Sequence, residues 1–311
     1  MISFTLWSAA LNEPTLAQSS HGYFCLRTKT IDELQHLFRP SDSPLPMVSA
    51  HRGGAMEGFP ENCIATFEHT IRDSFAILEI DPRYTKGGDI VLMHDASLER
   101  TTTGTGLVNE HTLEELLALR LKDLRGRETP YRLSTLEEAI AWSQGKTILV
   151  IDQKDVPAIA RAKRITDLHA EAWAILIVYS FADARAVYRM NPDIMMEVMI
   201  PTFEKARQFE ELGVPWRNVI AFIGHDPPYN PKLCKHIHEA GACVMIGTSR
   251  NLDKRVLSRE VKDFALIEQD YMSLVQNGAD LIETDIPTML GPLLRSNAAI
   301  PSDKTPYFCH P

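Results

Sequence analysis

Histidines, carboxylates and cationic side chains occur together wherever several short apolar runs of the sequence end. These sets are His51-Arg52, Glu79-Ile80-Asp81, His94-Asp95, Asp152-Gln153-Lys154 and Glu283-Thr284-Asp285. Isolated charges are costly to bury, so side chains that enter an interior together must pair with one another or bind a cation. We therefore interpret the sets as parts of one functional site.

The carboxylates among these residues predict a metal site. Glu79 and Asp81 are two residues apart, which on a strand places both side chains on the same face. Asp152 would add a third carboxylate, and hard oxygen ligands of this kind suit Mg²⁺ or Ca²⁺. We predict one divalent metal ion held by these three residues; a solvated Glu/Asp pair on an edge strand is the alternative.

The two histidines predict acid/base chemistry. His51 and His94 each end an apolar run and flank the carboxylates in sequence. Cleavage of a phosphodiester needs a base for the attacking oxygen and an acid for the leaving alkoxide, roles that imidazoles of pKa about 6.5 can share. Arg52 and Lys154 would supply positive charge to a phosphoryl oxygen, or act as counter-ions for the carboxylates.

These residues must be positioned by alternating strands and helices. The predicted strands are 46–51, 76–81, 89–94, 147–152, 174–179, 194–199, 219–223, 243–246 and 280–285. The predicted helices are 63–73, 134–143, 156–170, 182–190, 203–211, 231–240 and 261–277. About eight β-α units with one extra hairpin predict an α/β fold, a (β/α)8 TIM barrel whose carboxyl strand ends form the active-site mouth. A doubly wound open sheet is the alternative.

One strand of the 76–81 and 89–94 pair is predicted to lie outside the barrel, because a Lys86-Gly87-Gly88 turn joins the two as an antiparallel hairpin. Residues 96–132, with a helix at 113–119, read as a small insertion after the second strand region. The predicted organisation is an N-terminal extension at 1–45, a barrel at 46–295 and a C-terminal tail at 296–311.

Composition limits the classes of partner. The chain has 311 residues, 44% hydrophobic and 23% charged, as in soluble globular proteins. A net charge of −9 without a basic run argues against nucleic-acid binding. No apolar run reaches the roughly 20 residues of a transmembrane segment. Residues 2–11 and 16–20 resemble an h-region and a processing site without a basic segment before them, so cytoplasmic and exported (periplasmic or secreted) locations both stay open.

Two further patterns are given no functional role. The scattered cysteines are interpreted as buried or incidental thiols, from which no disulfide framework or zinc site follows. They are Cys25, Cys63, Cys234, Cys243 and Cys309. His236 and His238 lie in a predicted helix, where residues two apart point about 200° apart and cannot chelate one ion.

The chain resembles the glycerophosphodiester phosphodiesterase family from residue 46 to about 290. The shared motifs are His51-Arg52-Gly53-Gly54, Pro60-Glu61-Asn62, Ala65-Thr66-Phe67, Glu79-Ile80-Asp81, His94-Asp95 and Leu98-Glu99-Arg100-Thr101-Thr102. A weaker likeness follows at Ser180-Phe181 and at 280–287. No single string is specific, but their order and spacing within about 45 residues is.

The resemblance implies a barrel of the phospholipase C-like phosphodiesterase type and gives each residue a role. His51 and His94 would be the acid/base pair, Glu79, Asp81 and Asp152 the metal ligands, and Arg52 and Lys154 the phosphate contacts. Glu61 would orient a ligand or a substrate hydroxyl, and residues 96–132 would cap the mouth. Phe181, which ends a strand, is predicted to pack on the glycerol or alcohol moiety.

The implied reaction is metal-dependent hydrolysis of a small glycerophosphodiester to an alcohol and sn-glycerol 3-phosphate. One departure is Asp152, where the family usually has Glu; the shorter side chain could weaken metal binding, alter metal preference or mark a changed substrate. The alternatives are a phosphodiesterase or sphingomyelinase D-like lyase acting on a larger lipid or cell-wall phosphodiester, and a non-catalytic phosphodiester-binding barrel. The alcohol, the physiological metal and the oligomeric state are not indicated by the sequence.

Overall fold

Eight parallel strands form a closed barrel in a computed structural model that describes residues 17–18, 22–41 and 43–311. The strands are β1 (Val48–Ala50), β2 (Ala76–Ile80), β3 (Leu149–Ile151), β4 (Ala174–Val178), β5 (Met196–Met199), β6 (Val219–Phe222), β7 (Cys243–Gly247) and β8 (Leu281–Thr284). Each pairs with its neighbour in chain order, and β8 pairs with β1. The predicted TIM barrel is confirmed against the open sheet. The signal-like run at 2–11 lies outside the described residues.

Helices surround this barrel. They are α1 (Ile31–Leu37), α2 (Ile64–Asp73), α3 (Leu113–Leu117), α4 (Leu136–Ser143), α5 (Ala158–Asp167), α6 (Phe181–Met190), α7 (Phe203–Glu210), α8 (Pro231–Ala240), α9 (Leu252–Leu257), α10 (Glu268–Gln276) and α11 (Pro287–Asn297). Thr135, Ser180 and Thr202 each begin a helix by accepting a backbone N–H, as N-cap hydroxyls do. No helix in the described part of the chain is long and apolar enough to cross a membrane.

Strand alternation separates the outer core from the barrel interior. On β2, Ala76, Leu78 and Ile80 pack in the layer under the helices, while Ile77 packs inside the barrel. Glu79 is the next inward residue after Ile77. The lower interior of the barrel is therefore apolar, and the polar side chains begin one inward position nearer the carboxyl ends.

The N-terminal and C-terminal segments pack together on the apolar end of the barrel interior. Phe308–His310 pairs antiparallel with Cys25–Leu26 and parallel with Ala17–Gln18. The buried side chains of Phe38 and Phe308 belong to the same apolar cluster as the barrel interior. These segments, predicted only as an extension and a tail, thus contribute to the core.

Cys25 and Cys309 form a disulfide, so the interpretation of both as thiols was wrong. They lie opposite each other in the antiparallel pair, with a Cα–Cα distance of 5.0 Å. Because 284 residues separate them, local spacing held no signal for the pairing. Cys63, Cys234 and Cys243 are buried free thiols, as predicted.

The hairpin outside the barrel has a different first strand from the predicted one. Pro82–Tyr84 pairs antiparallel with Ile90–Leu92, whereas the predicted partner is the barrel strand β2. The chain leaves the barrel at Asp81 and forms the hairpin from the residues that follow. Beyond it, the insertion has a small core of its own that includes Leu98 and Leu116.

Candidate active site

A short left-handed turn at the end of β1 sets His51 and Arg52 at the mouth. Arg52 has a φ of 53°, and its backbone N–H donates to Glu79 Oε2 over 2.7 Å. Gly53 has a φ of 79°, and a Cβ there would lie 2.2 Å from the Phe67 ring. Glycine is therefore required at position 53, because only glycine has no Cβ to collide with that ring.

His51 lies among carboxylates. Its Nδ1 is 2.7 Å from Asp285 Oδ1 and 3.7 Å from Glu283 Oε1. Burial opposes the charged form, but the hydrogen bond with Asp285 and the charges of Glu283 and Glu79 outweigh it and raise the pKa of His51 to about 10. This imidazole is a proton donor at neutral pH.

His94 has a similar contact but the opposite pKa shift. Its Nδ1 is 2.8 Å from Asp95 Oδ1, and Asp95 is in turn held by the Arg100 guanidinium at 2.9 Å. Arg100 lowers the pKa of Asp95. Burial, with the charges of Arg52 and Lys154, lowers the pKa of His94 despite the nearby carboxylates. This imidazole is neutral at neutral pH and can accept a proton.

Three buried carboxylates converge between the histidines. Glu79, Asp81 and Asp152 each offer an oxygen within 4.8 Å of the others, and in the described residues no other His, Cys, Asp or Glu set does so. Lys154 Nζ lies 2.8 Å from Asp81 Oδ1 and also contacts Asp152 Oδ2. The predicted trio is therefore brought together, and Asp152 reaches it in spite of its shorter side chain.

The electrostatics of this trio fit a divalent cation. Burial and the charges of Asp81 and Asp152 raise the pKa of Glu79 well above its usual value. Burial opposes ionisation of Asp81, yet Lys154, His94 and Asn62 together lower its pKa. Carboxylates that raise one another's pKa are stabilised by a metal ion, and three hard oxygen donors suit Mg²⁺ or Ca²⁺.

The Pro60-Glu61-Asn62 segment holds residues of the site in place through hydrogen bonds. Asn62 donates to Asp81 Oδ2 over 2.6 Å and accepts from the Asp81 backbone N–H over 2.9 Å. Both Glu61 oxygens accept from Arg100, and one also accepts from Arg52 over 3.2 Å. Glu61, which is predicted to orient a ligand or a substrate hydroxyl, thus also holds the Arg52 and Arg100 side chains.

A cavity of about 510 Å³ collects most of these residues. It is lined by Ser49, His51, Arg52, Glu79, His94, Asp152, Lys154, Ile177, Tyr179, Glu197, Met199, Phe222, His225, Ser249, Arg250, Glu283 and Asp285. Phe181, which is predicted to pack on the glycerol or alcohol moiety, is not among the lining residues. Its ring begins α6 and packs against Phe209, because Ser180 caps the helix there and turns the chain outward.

Several lining residues were missed from the sequence. Tyr179 donates its hydroxyl to Asp152 Oδ1 over 2.6 Å, and Glu197 faces the interior from the middle of β5. Alternation could have identified Tyr179, since Ile175, Ile177 and Tyr179 share a face of the chain. His236 and His238 contact separate carboxylates, Glu210 and Asp280, which agrees with the prediction that they do not chelate one ion.

Parts of the sequence are similar to those of other proteins. The glycerophosphodiester phosphodiesterase of Caldanaerobacter subterraneus subsp. tengcongensis is 31% identical over 161 residues, which is 49% of this chain and 66% of that relative. Glycerophosphodiester phosphodiesterase 1 of Bos taurus is 37% identical over 95 residues, 30% of this chain and 28% of that protein. In both cases less than two thirds of the relative's length is matched.

Solved structures match over more of the chain. A glycerophosphoryl diester phosphodiesterase from Parabacteroides distasonis has a TM-score of 0.88 and 38% identity, covering 93% of this chain and 100% of that chain. An Oleispira antarctica phosphodiesterase in complex with the product sn-glycerol-3-phosphate has a TM-score of 0.59 and 22% identity, covering 80% and 97%. The latter shows likeness of fold alone.

The model of one protein family spans the site from its first histidine. That family is described as the glycerophosphoryl diester phosphodiesterase family, and the match runs over residues 51–265, more than half of the chain. The matched range contains His51, His94 and all three clustered carboxylates. This chain therefore belongs to the glycerophosphoryl diester phosphodiesterase family.

Proposed function

We propose that the protein hydrolyses small glycerophosphodiesters to an alcohol and sn-glycerol 3-phosphate, with one divalent cation. The observation that carries this proposal is the pairing of His51 and His94 in a single cavity with a buried three-carboxylate cluster. The product bound to the Oleispira phosphodiesterase, a protein of the same fold, supports the choice of substrate class.

The histidines divide the proton transfers. Nδ1 of each ring is engaged by an aspartate, Asp285 or Asp95, and Nε2 makes no hydrogen bond within the described residues. Neutral His94 would accept a proton from the glycerol hydroxyl that attacks phosphorus and closes a cyclic phosphate, while protonated His51 would donate one to the leaving alkoxide. Water would then open the cyclic phosphate to sn-glycerol 3-phosphate, with the two histidines in reversed roles. The two aspartates hold the rings in the tautomer that leaves Nε2 free for transfer.

The remaining residues handle the negative charge. Glu79, Asp81 and Asp152 would hold the cation, which when bound polarises a phosphoryl oxygen and lowers the pKa of a coordinated hydroxyl. Arg52 and Lys154, both in the cavity lining, would contact the phosphoryl oxygens as they gain charge. Tyr179 would keep Asp152 turned toward the cluster.

The test is an assay of metal-depleted protein with glycerophosphocholine, adding back Mg²⁺, Ca²⁺ and Mn²⁺ separately. We expect turnover only with a divalent ion, release of free sn-glycerol 3-phosphate, and a loss in kcat of at least about 100-fold in His51→Ala or His94→Ala. His236→Ala, outside the cavity, is the matched control.

A stable cyclic phosphate as the end product, seen by phosphorus NMR, would instead indicate a lyase. No turnover with any of the three ions would reject hydrolysis of this substrate and favour a larger lipid or cell-wall phosphodiester. Binding of a phosphodiester without turnover would indicate a non-catalytic barrel.

A further inference from the structure

Polar residues from strands that carry no residue of the metal cluster also line the cavity. Ser49 comes from β1, Glu197 from β5, Glu283 from β8 and His225 from the loop after β6, and all four line the cavity. We call these four residues the floor subsite. The proposed reaction gives Ser49, Glu197 and His225 no role in proton transfer or metal binding.

Some polar atoms of the floor subsite are buried and make no hydrogen bond to the described part of the chain. Ser49 is 1% exposed and Glu197 is 5% exposed. Ser49 Oγ and His225 Nδ1 make no hydrogen bond within the part of the chain that the structure describes, and the Glu197 carboxyl likewise makes neither a hydrogen bond nor an ion pair there. Buried polar groups are normally satisfied, so unpaired ones facing a cavity indicate a polar ligand.

The local backbone makes room for this arrangement. A Cβ at Gly247 would lie 2.1 Å from His225 Nδ1 and 2.8 Å from Glu283 Oε2. With glycine there, His225 Nδ1 can lie 3.6 Å from Glu283 Oε2, and the Ser249 hydroxyl donates to the same oxygen over 3.2 Å. The subsite is thus held in place by β7 and the residues after it.

The raised pKa of Glu197 favours a ligand that forms hydrogen bonds over one that forms an ion pair. Burial and the charges of Glu283 and Asp152 raise the pKa of the Glu197 carboxyl well above its usual value, and the protonated form can both donate and accept a hydrogen bond. A hydroxyl group likewise both donates and accepts. A quaternary ammonium does neither, so it would leave Ser49 Oγ without a hydrogen-bond partner.

We propose that the floor subsite binds the terminal hydroxyl of the glycerol end of the substrate, the one that does not neighbour the phosphoester. Ser49 and Glu197 would be its hydrogen-bond partners, with His225 and Glu283 beside them. The inference rests on the proposed function, since it assigns the glycerol end of that substrate to the floor subsite. It makes these residues determinants of specificity for glycerol over shorter polyols.

Calorimetric binding of two phosphate monoesters in the presence of Mg²⁺ tests this assignment. The ligands are sn-glycerol 3-phosphate and propane-1,2-diol 1-phosphate, which lacks only the terminal hydroxyl. Wild-type protein should bind the glycerol compound about 10-fold more tightly, as expected for one buried hydrogen-bonded hydroxyl. Glu197→Ala should reduce the ratio to about 2-fold or less by weakening only the glycerol compound. Glu239→Ala, on the exposed face of α8, is the control.

Glu197→Gln keeps the shape and hydrogen-bonding capacity of the side chain, so it should retain most of the preference even if Glu197→Ala unfolds. Equal affinities in the wild type, or an unchanged ratio in a folded Glu197→Ala protein, would overturn the proposal. Binding needs no turnover. An inactive wild type that still prefers the glycerol compound would therefore reject the hydrolysis but retain the subsite.

Discussion

Two imidazoles of the same cavity differ in protonation because their aspartates have different partners. Asp95 is shared between His94 and the cationic Arg100. Arg100 neutralises the charge of Asp95, so Asp95 stabilises a protonated His94 less. Asp285 has Glu283 beside it, and His51 is the cation that both face. The opposite pKa shifts of the two imidazoles are therefore explained by the groups that surround their aspartates.

Asp285→Asn should lower the pKa of His51 in the metal-free protein. We expect a fall of about one to three pH units, since a charged hydrogen-bond partner is removed. In the wild type the folded pKa, about 10, exceeds the unfolded value. The stability due to His51 is thus fully present below the unfolded pKa of about 6.5 and is lost as pH rises toward 10.

An NMR titration of the His51 ring, with denaturation at several pH values, measures both effects. Glu210→Gln removes the partner of the exposed His236 and is the matched control. An unchanged His51 pKa in Asp285→Asn would show that Asp285 does not hold the proton on this ring.

At the scale of elements, a buried arginine bridges the barrel strands β3 and β4 through hydrogen bonds. Arg161 of α5 is fully buried and donates to the carbonyl oxygens of Ile151, Ile177 and Val156 over 2.8 to 3.0 Å. It also donates to Gln153 Oε1 over 3.1 Å. Burial lowers its pKa to about 10, so the group stays charged at neutral pH.

Arg161→Met should destabilise the barrel and impair the site together. Three buried carbonyls would lose a donor, so we expect the free energy of unfolding in urea to fall by about 2–4 kcal/mol. Gln153 lies between Asp152 and Lys154, and loss of its anchor should also reduce activity at temperatures where the variant is folded. Arg164→Met, on the exposed side of α5, should change stability by less than about 0.5 kcal/mol. Equal stability of the two variants would contradict this role.

Elements that carry strong local signals were predicted from the sequence, and those that depend on distant partners were not. Continuous apolar runs such as 148–151 marked the barrel strands because both of their faces are buried. Helix α11 was missed because Gly291 and Pro292 interrupt its pattern. The predicted helix at 261–277 begins only at Glu268, after a turn that its apolar spacing did not reveal.

The same distinction holds within the site. His51, Glu79 and His94 belong to recognisable sequence motifs, so the sequence alone predicts them as site residues. Glu197 stands alone between apolar residues of β5 and becomes notable only when the barrel closes around it. Phe181 is the first residue of α6, a boundary that the sequence alone did not show.

At the scale of the whole molecule, the charged cavity and the terminal segments that stabilise the fold lie at opposite ends of the barrel. The carboxyl ends of the strands carry the charged cavity, while the inward residues at the other end are apolar. The N-terminal and C-terminal segments cover that apolar end and are joined by the Cys25–Cys309 disulfide. Changes there should alter stability with little effect on the cavity.

Cys25→Ser should lower the free energy of unfolding by about 2–5 kcal/mol, because the unfolded chain loses a long cross-link. Thermal unfolding of the wild type with and without dithiothreitol should show the same loss, and the reductant should have no further effect on the variant. Activity at temperatures where both proteins are folded should be similar. A wild-type melting temperature insensitive to reductant would show that the disulfide does not stabilise the fold.

The disulfide also makes the covalent chain a ring that contains every strand of the barrel. A protease that cuts once in an exposed stretch between the two cysteines, such as the insertion, opens the ring but releases no fragment. Both pieces stay tethered through sulfur, so a nicked molecule has no free half to diffuse away.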